Sequence, residues 1–206
     1  LVILYRGGHV RRRLCEAPSL CLTAGIREDL PMKNREYVHI VHPIPPLYDE
    51  NSRILILGSF PSVKSREANF FYGHPQNRFW PLMAAIFERS PFRSVEEKRE
   101  FALSHGIAMW DVIYSCDIVG SSDSSKKNAV PSDLLSIKET GDLRAVITNG
   151  RTSGKMYDKY QKNELGMESL TLPSTSPANA AWSFERLFEE WKIVREILEE
   201  GTRKQS

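Results

Sequence analysis

The chain has 206 residues, 41% of them hydrophobic, so it can bury one ordinary core but not the cores of several large domains. Its longest apolar runs fall far short of the roughly 20 residues that a membrane helix needs, and its three irregularly spaced cysteines argue against a disulfide scaffold, a zinc site or an iron–sulfur site. Residues 1–35 hold seven Lys/Arg and three Asp/Glu, which leaves 21 Lys/Arg and 23 Asp/Glu in the rest of the chain. This near-neutral balance disfavours a protein that wraps DNA by charge alone, so any nucleic-acid contact must be local.

The first thirty or so residues show no helical or strand period. The Arg11-Arg12-Arg13 run follows an apolar stretch, whereas a signal peptide would place its basic residues first. We interpret residues 1–35 as an N-terminal extension, with Met32 as the hypothesised natural start, residues 36–200 as a single domain and residues 201–206 as a tail. We expect a cytoplasmic protein without a metal or another cofactor.

Regular elements are predicted from residue 53 onward. Residues 53–58 form an apolar run that ends in glycine, which is typical of a buried parallel strand, and a long loop over 59–76 follows it. Apolar residues at helical spacing then place Asn77 at or just before a helix N terminus. Ser94 and Glu97 form a capping box, which predicts a second helix ending near residue 106.

The rest of the chain continues the alternation of strands and helices. The further predictions are a strand over 107–114, a surface loop over 121–131, a short helix capped by Ser132 or Asp133, strands over 145–148 and 169–172, and helices over 152–162 and 183–200. This alternation predicts a three-layer α/β/α fold around a central, mostly parallel sheet of four or five strands. In such folds the ligand crevice lies beyond the carboxyl ends of the strands.

Three polar clusters follow predicted strand ends, at 58–80, 110–128 and 173–179, so we expect them to converge. The first cluster is rich in aromatic residues, which either fold back onto the core or form a slot for a flat ligand such as a nucleobase. The last cluster is either a rigid turn with a helix cap or a loop that offers hydroxyl and backbone N–H groups to phosphates.

The motifs in these clusters resemble those of the hypoxanthine-DNA glycosylases, also called DNA-deoxyinosine glycosylases, of the uracil-DNA glycosylase superfamily. They are Gly-Ser-Phe-Pro-Ser at 58–62, His-Pro-Gln-Asn-Arg-Phe-Trp at 74–80 and Ser-Thr-Ser-Pro-Ala-Asn at 174–179, within a match that spans roughly residues 40–198. The similar mismatch-specific uracil and thymine glycosylases usually carry a catalytic asparagine where this chain has Phe60. In the hypoxanthine branch, Asn77 takes over as the important polar residue.

The resemblance implies a uracil-DNA glycosylase-like fold and a base-excision enzyme that flips a deaminated base, most often hypoxanthine, out of double-stranded DNA. Hydrolysis of the N-glycosidic bond builds positive charge on the sugar and negative charge on the base, so one group must hold water and others must stabilise the departing base. No lysine stands at a motif position for a Schiff base, which favours an abasic product without strand cleavage. We expect a monomer that acts on DNA and not at a membrane.

The expected site residues fall into three groups. Asn77 positions water or the base, Asp111 is a second candidate for activating water, and His74 is a candidate electrophile. The expected base-binding residues are Phe60 as the pocket wall, Tyr72 as the stacking ring, Ser59 and Ser62 as loop hydrogen-bonding groups, and Asn149. The expected DNA-binding residues are Ser174, Thr175, Ser176, Pro177, Ala178 and Asn179.

Three other functions remain open at the level of sequence. The first is removal of uracil from DNA, because the superfamily shares its pocket. The second is a catalytically inactive protein that binds damaged bases. The third is a hydrolase of free nucleotides, which is disfavoured because the sequence has no P-loop and no cluster of metal-binding carboxylates.

Overall fold

The computed structural model describes residues 37–119 and 126–203. These residues belong to one compact unit, Arg35–Ser206. The predicted N-terminal extension over 1–35 and the hypothesised start at Met32 lie outside the described residues.

The elements in chain order are β1 (Val38–Val41), β2 (Ile54–Gly58), α1 (Val63–Glu67), α2 (Phe79–Ile86), α3 (Val95–Ser104), β3 (Ile107–Asp111), β4 (Ile113–Ile118), β5 (Lys127–Pro131), α4 (Leu135–Thr140), β6 (Ala145–Asn149), α5 (Arg151–Tyr160), α6 (Lys162–Leu165), β7 (Ser169–Leu172), α7 (Phe184–Trp191) and α8 (Ile193–Arg203). Four of the strands form a parallel sheet in the order β3-β2-β6-β7. The predicted α/β fold with a central parallel sheet of four or five strands is therefore confirmed.

The hydrophobic core has two layers, one on each face of the parallel sheet, and the central strand β2 contributes to both. Successive side chains of a strand point to opposite faces. Ile54 and Ile56 accordingly pack in one cluster with residues of α2, α3 and α7, whereas Leu55 and Leu57 pack in the other with residues of β4, α4 and α5. All five residues of β2 are buried, which explains its continuous apolar run.

A second, three-stranded antiparallel sheet of order β1-β4-β5 was not predicted. The predicted single strand over 107–114 is two strands in different sheets, and the chain changes sheet at Val112, whose N–H donates to the Gly58 carbonyl at 2.9 Å. The predicted surface loop over 121–131 is wrong for Lys127–Pro131, which pairs with β4. Strand β5 is largely exposed, so it lacks the apolar alternation from which a strand is predicted.

Two helix predictions also needed correction. The long loop over 59–76 contains the short helix α1, and the predicted helix over 183–200 is two helices separated at Lys192. The Arg195 N–H donates to the Lys192 carbonyl three residues back at 3.0 Å, which tightens the chain at this junction. Helix α8 continues to Arg203, beyond the predicted end of the domain. None of the helices in residues 37–119 and 126–203 has the length and apolar character to cross a membrane.

Candidate active site

A cavity of about 500 Å³ opens at the carboxyl ends of β2, β3 and β6. All three predicted polar clusters contribute to its lining. Its lining includes Gly58, Ser59, Phe60, Ser62, Arg66, Tyr72, Asn77, Asp111, Lys126, Asn149, Arg151, Ser174, Thr175, Ser176 and Ala178. The three clusters therefore converge.

Asp111, the last residue of β3, lies beside Gly58, the last residue of β2, in register across the sheet. A Cβ atom built on Gly58 would lie 2.1 Å from the Asp111 Oδ1 atom, so only glycine leaves room for this carboxylate. Asp111 is 5% exposed and lines the cavity. This close approach places an acidic group deep in the site.

The carboxylate of Asp111 is held by His42, a residue that sequence analysis missed. The His42 Nε2 atom lies 2.8 Å from Asp111 Oδ2, and the Ile44 N–H donates to His42 Nδ1 at 3.2 Å. Because Nδ1 accepts a hydrogen bond, the proton of the neutral ring lies on Nε2, which donates to Asp111. Phe60 and Trp110 pack against the imidazole ring, which is buried.

Tyr72 combines an unusual backbone conformation with an unpartnered hydroxyl group. Its φ angle is +53°, in the left-handed region, and its ring stacks on Phe79 with 4.1 Å between centroids. The hydroxyl is buried, and none of the residues that the structure describes forms a hydrogen bond with it. Burial, together with the charge of Asp111, raises the pKa of Tyr72. The Asn149 amide acts on this pKa in the opposite direction but does not reach hydrogen-bonding geometry. The phenol therefore keeps its proton at neutral pH.

The other residues of the first motif frame the cavity. Phe60 is 8% exposed and forms part of the wall. The Lys126 ammonium donates to Ser59 Oγ at 3.3 Å. Ser62 caps α1, because its Oγ accepts from the Ser65 N–H at 3.2 Å.

Asn77 lies in the cavity lining immediately before α2. Its Oδ1 atom accepts from the Phe79 N–H at 3.0 Å, so the side chain satisfies a free amide at the helix N terminus. Its Nδ2 group makes no hydrogen bond within the described part of the chain and remains available as a donor. The predicted position before a helix is confirmed.

His74 does not line this cavity. It lies in a neighbouring depression, where its Nδ1 atom accepts from the Gln76 N–H at 3.1 Å within the same turn. Asn77 also borders this depression, and its N–H donates to the His74 carbonyl at 2.8 Å, so His74 adjoins Asn77 but lies outside the cavity that contains Asp111.

Asn149 and Thr175 hold each other across the site. The Asn149 Nδ2 group donates to Thr175 Oγ1 at 2.9 Å, and the Thr175 N–H donates to Asn149 Oδ1 at 3.0 Å. Thr175 is fully buried. Both side chains therefore fix the loop after β7, and Thr175 offers no exposed surface to DNA.

The remaining expected DNA-binding residues form a loop with internal hydrogen bonds. The Ser174 hydroxyl accepts from the Ser176 N–H at 3.3 Å, the Ser176 hydroxyl accepts from the Ala178 N–H at 3.3 Å, and the Asn179 amide donates to the Ser174 carbonyl at 2.9 Å. Ser174, Ser176 and Ala178 line the cavity, whereas Pro177 and Asn179 do not.

Arg78 joins the second motif to this loop. Its guanidinium group donates to the carbonyl oxygens of Thr175 at 3.3 Å, Ser176 at 2.7 Å and Asn179 at 3.0 Å, and also to that of Trp182. Sequence analysis assigned Arg78 no role, although a planar donor next to a helix start is a usable signal. His42 carried no such signal, because its partner lies 69 residues away.

The lining also includes cationic side chains and the start of α5. Gly150, with φ +98°, begins α5 without a side-chain cap, and Arg151 follows it at the rim. Arg66 donates to the Pro61 carbonyl at 2.9 Å. Within residues 37–119 and 126–203, no group of three or more His, Cys, Asp or Glu side chains is placed to hold a metal ion.

Comparisons with known proteins extend the similarity beyond the three motifs. The model of the uracil DNA glycosylase superfamily matches residues 45–198. A hypoxanthine DNA glycosylase from Methanosarcina acetivorans is 37% identical over 152 residues, which cover 73% of this chain and 94% of that protein. Another from Methanosarcina barkeri is 34% identical over 137 residues, which cover 66% of this chain and 85% of that protein.

A solved structure shares the fold. The solution NMR structure of a protein from Methanosarcina acetivorans, described as a candidate uracil DNA glycosylase, superposes with a TM-score of 0.67 at 34% sequence identity. The alignment covers 78% of this chain and 99% of that chain.

Proposed function

The chain belongs to the uracil DNA glycosylase superfamily, and we propose that it is a monofunctional glycosylase that removes hypoxanthine from double-stranded DNA. It hydrolyses the N-glycosidic bond of the flipped nucleotide and leaves an abasic site. The two Methanosarcina relatives that are named hypoxanthine DNA glycosylases support this substrate. A monomer acting in the cytoplasm is the accompanying prediction from sequence.

One observation carries the proposal: the three motifs meet around a single cavity at the carboxyl ends of the parallel strands. Its wall contains the aromatic residues Phe60 and Tyr72, and its polar groups come from separate elements. A flipped base is bound by such stacking surfaces and by hydrogen bonds to its edge.

We propose that Asn77 acts at the N-glycosidic bond that is hydrolysed. A water molecule must attack the oxocarbenium-like sugar, and the departing base must be stabilised as negative charge builds on it. Asn77 is partly exposed, and its Nδ2 donor is uncommitted, whereas Asp111 lies deeper and is 5% exposed. We therefore assign water and leaving-group positioning to Asn77 rather than to Asp111 or His74.

The loop after β7 is proposed to hold the DNA backbone next to the flipped nucleotide. Ser174, Ser176 and the neighbouring Pro177, Ala178 and Asn179 offer hydroxyl and backbone groups with little bulk. We assign Thr175 and Asn149 to positioning this loop, because their polar groups bind each other. Ser59 and Ser62 remain candidates for contacts near the cavity mouth.

Removal of uracil is the second candidate. The NMR structure described as a candidate uracil DNA glycosylase supports it, because that protein aligns over nearly its whole length. The size of the flipped base distinguishes the two substrates.

The test uses labelled duplexes that carry hypoxanthine, uracil or xanthine, with alkali added to cut abasic sites. We expect alkali-dependent product from hypoxanthine, and a rate at least about 100-fold lower for Asn77→Ala, because positioned electrostatic groups contribute on this scale. Product from uracil alone would support the second candidate function, removal of uracil, instead. Binding without product from any base would identify an inactive damaged-base-binding protein.

A further inference from the structure

We propose that Asp111 and Tyr72, with Asp111 positioned by His42, recognise the lactam edge of the flipped base, meaning a ring N–H next to a carbonyl group. The inference rests on the proposed function and assigns a specificity role to each residue. Asp111 accepts from the ring N–H, and the Tyr72 hydroxyl donates to the adjacent carbonyl oxygen.

The two groups converge on one point at the end of the sheet. A Cβ atom on Gly58 would lie 2.1 Å from Asp111 Oδ1 and 3.7 Å from the Tyr72 hydroxyl oxygen. Both residues line the cavity, yet the Tyr72 hydroxyl is buried and Asp111 is 5% exposed. They therefore form the floor of the cavity rather than its rim.

The edge of the base that reaches this floor follows from the covalent structure of DNA. The sugar of a flipped nucleotide stays attached to the backbone, so the glycosidic nitrogen remains near the cavity mouth. The opposite edge of the base, which forms Watson–Crick pairs, enters deepest and is the edge available for recognition. In hypoxanthine that edge carries N1–H and the O6 carbonyl.

His42 determines the hydrogen-bonding character of Asp111. Its Nδ1 atom accepts from the Ile44 N–H, so its Nε2–H points to Asp111 Oδ2 and requires an acceptor there. Asp111 Oδ1 is the carboxylate oxygen next to Gly58 and is an acceptor as well. A carboxylate held in this way attracts a ring N–H and repels a ring nitrogen lone pair.

Tyr72 supplies the complementary donor. Its hydroxyl is a buried polar group that has no hydrogen-bond partner in residues 37–119 and 126–203, an arrangement that native proteins otherwise avoid. Burial, and to a smaller extent the neighbouring Asp111 carboxylate, raise the pKa of Tyr72, so the hydroxyl keeps its proton and is a donor. Because its ring stacks on Phe79, the position of the hydroxyl oxygen is fixed. The O–H bond can still rotate about the C–O axis toward an acceptor.

An acceptor beside a donor distinguishes hypoxanthine and uracil from adenine and cytosine, the bases that produce them by deamination. Hypoxanthine, xanthine and uracil have the lactam edge, whereas adenine and cytosine carry a lone pair and an amino group at those positions. Guanine and thymine also have a lactam edge, so their exclusion depends on the cost of extruding a correctly paired base. The proposed pair therefore selects against adenine and cytosine, the parent bases of hypoxanthine and uracil, but not against guanine, the parent base of xanthine.

The test measures binding of duplexes that contain 2′-fluoroarabino nucleotides, whose glycosidic bonds resist cleavage, by fluorescence anisotropy. The bases are hypoxanthine, 1-methylhypoxanthine, adenine and unsubstituted purine, which lacks both N1–H and O6. With the unmodified protein we expect hypoxanthine to bind at least about tenfold more tightly than each of the other three, since an unpaired buried polar group is costly. This comparison needs no variant to fold.

Two variants then assign the two contacts. Tyr72→Phe should weaken binding of hypoxanthine at least about tenfold and leave purine unchanged, because only hypoxanthine has O6. Asp111→Asn should turn its amide oxygen toward His42 and its N–H groups toward the base, so the preference for hypoxanthine over adenine should fall at least about tenfold. Tyr160→Phe and Asp117→Asn are the matched controls, because neither residue lines the cavity and Asp117 forms an exposed pair with His39.

The outcomes separate this inference from the proposed function. Cleavage of ordinary hypoxanthine duplexes with equal binding of hypoxanthine and adenine would overturn the lactam assignment alone. A Tyr72→Phe variant that weakens binding of hypoxanthine and purine equally would also overturn it, because the ring is retained and such a loss would reflect a changed cavity shape rather than a lost contact with O6. A protein that neither binds nor cleaves hypoxanthine duplexes would overturn both proposals.

Discussion

Gly58 leaves the space that the Asp111 carboxylate occupies. Residues at the ends of parallel strands lie side by side, so a side chain at one position constrains its neighbour on the next strand. Here the constraint is severe, because a Cβ atom would approach Asp111 Oδ1 to 2.1 Å. At the scale of single residues, the site therefore depends as much on a missing side chain as on the polar groups around it.

We predict that Gly58→Ala displaces Asp111, breaks its hydrogen bond with His42 and lowers hypoxanthine release at least about 100-fold, with a stability loss of about 1–3 kcal/mol from overpacking. Single-turnover cleavage and thermal unfolding measure the two effects. Gly166→Ala is the control: its φ of +67° costs about 1–2 kcal/mol, but a Cβ atom there would have open space, with the Lys138 Nζ atom 4.0 Å away. Equal cleavage rates in the two variants would contradict the prediction.

Asn77 has a structural and a chemical role that one substitution can separate. Asn77→Asp keeps an acceptor for the Phe79 N–H and adds a favourable negative charge at the N terminus of α2, so stability should be unchanged within about 0.5 kcal/mol. The same change removes the Nδ2 donor next to a developing base anion. We expect cleavage to fall at least about 100-fold. An active Asn77→Asp variant would show that capping α2 is the main role.

The shape of the loop between β7 and α7 depends on Arg78. One guanidinium group binds four backbone carbonyls of this loop, and the Asn149–Thr175 pair fixes its start. The rigid fork of arginine suits several acceptors at once. At the scale of elements, the start of α2 and the end of β7 therefore form one unit.

We predict that Arg78→Lys loosens the loop, because an ammonium group cannot contact four separated carbonyls. Hydrogen exchange of the amides of residues 174–182 should accelerate, and the specificity constant for hypoxanthine duplexes should fall at least about tenfold. Arg195→Lys is the matched control, because Arg195 binds Glu88, Glu199 and the Ile86 carbonyl away from the cavity. If the exchange rates match those of the control, Arg78 does not hold the loop.

The molecule as a whole carries a formal net charge of only +2, so its affinity for DNA cannot depend on a broadly basic surface. The cationic side chains that line the cavity are Arg66, Lys126 and Arg151. They surround a site that contains the carboxylate of Asp111 at its floor and whose other polar groups are neutral. At this scale, recognition is expected to depend on shape and hydrogen bonding with a small electrostatic contribution.

We predict a shallow salt dependence of DNA binding. If these three side chains meet phosphates, the plot of log affinity against log salt concentration should have a slope of about −3, since each phosphate contact contributes about −0.9. Arg151→Ala should make that slope less steep by about one, whereas Lys155→Ala, one turn further along α5 and outside the cavity lining, should leave it unchanged. A slope steeper than about −6 would contradict a local interface.

The sequence alone determined the features that depend on neighbours along the chain. The apolar run of β2, the helix start after Asn77 and the caps at Ser94 and Asp133 are local, so pattern and capping chemistry predicted them. The three motifs likewise identified the family and the strand ends at which the site forms. The tertiary structure alone decided which groups meet there: His42 binds Asp111 across 69 residues, Arg78 binds Ser176 across 98, and β1 and β5 pair with β4. Such pairings depend on how distant segments pack, and local periodicity contains no information about that packing.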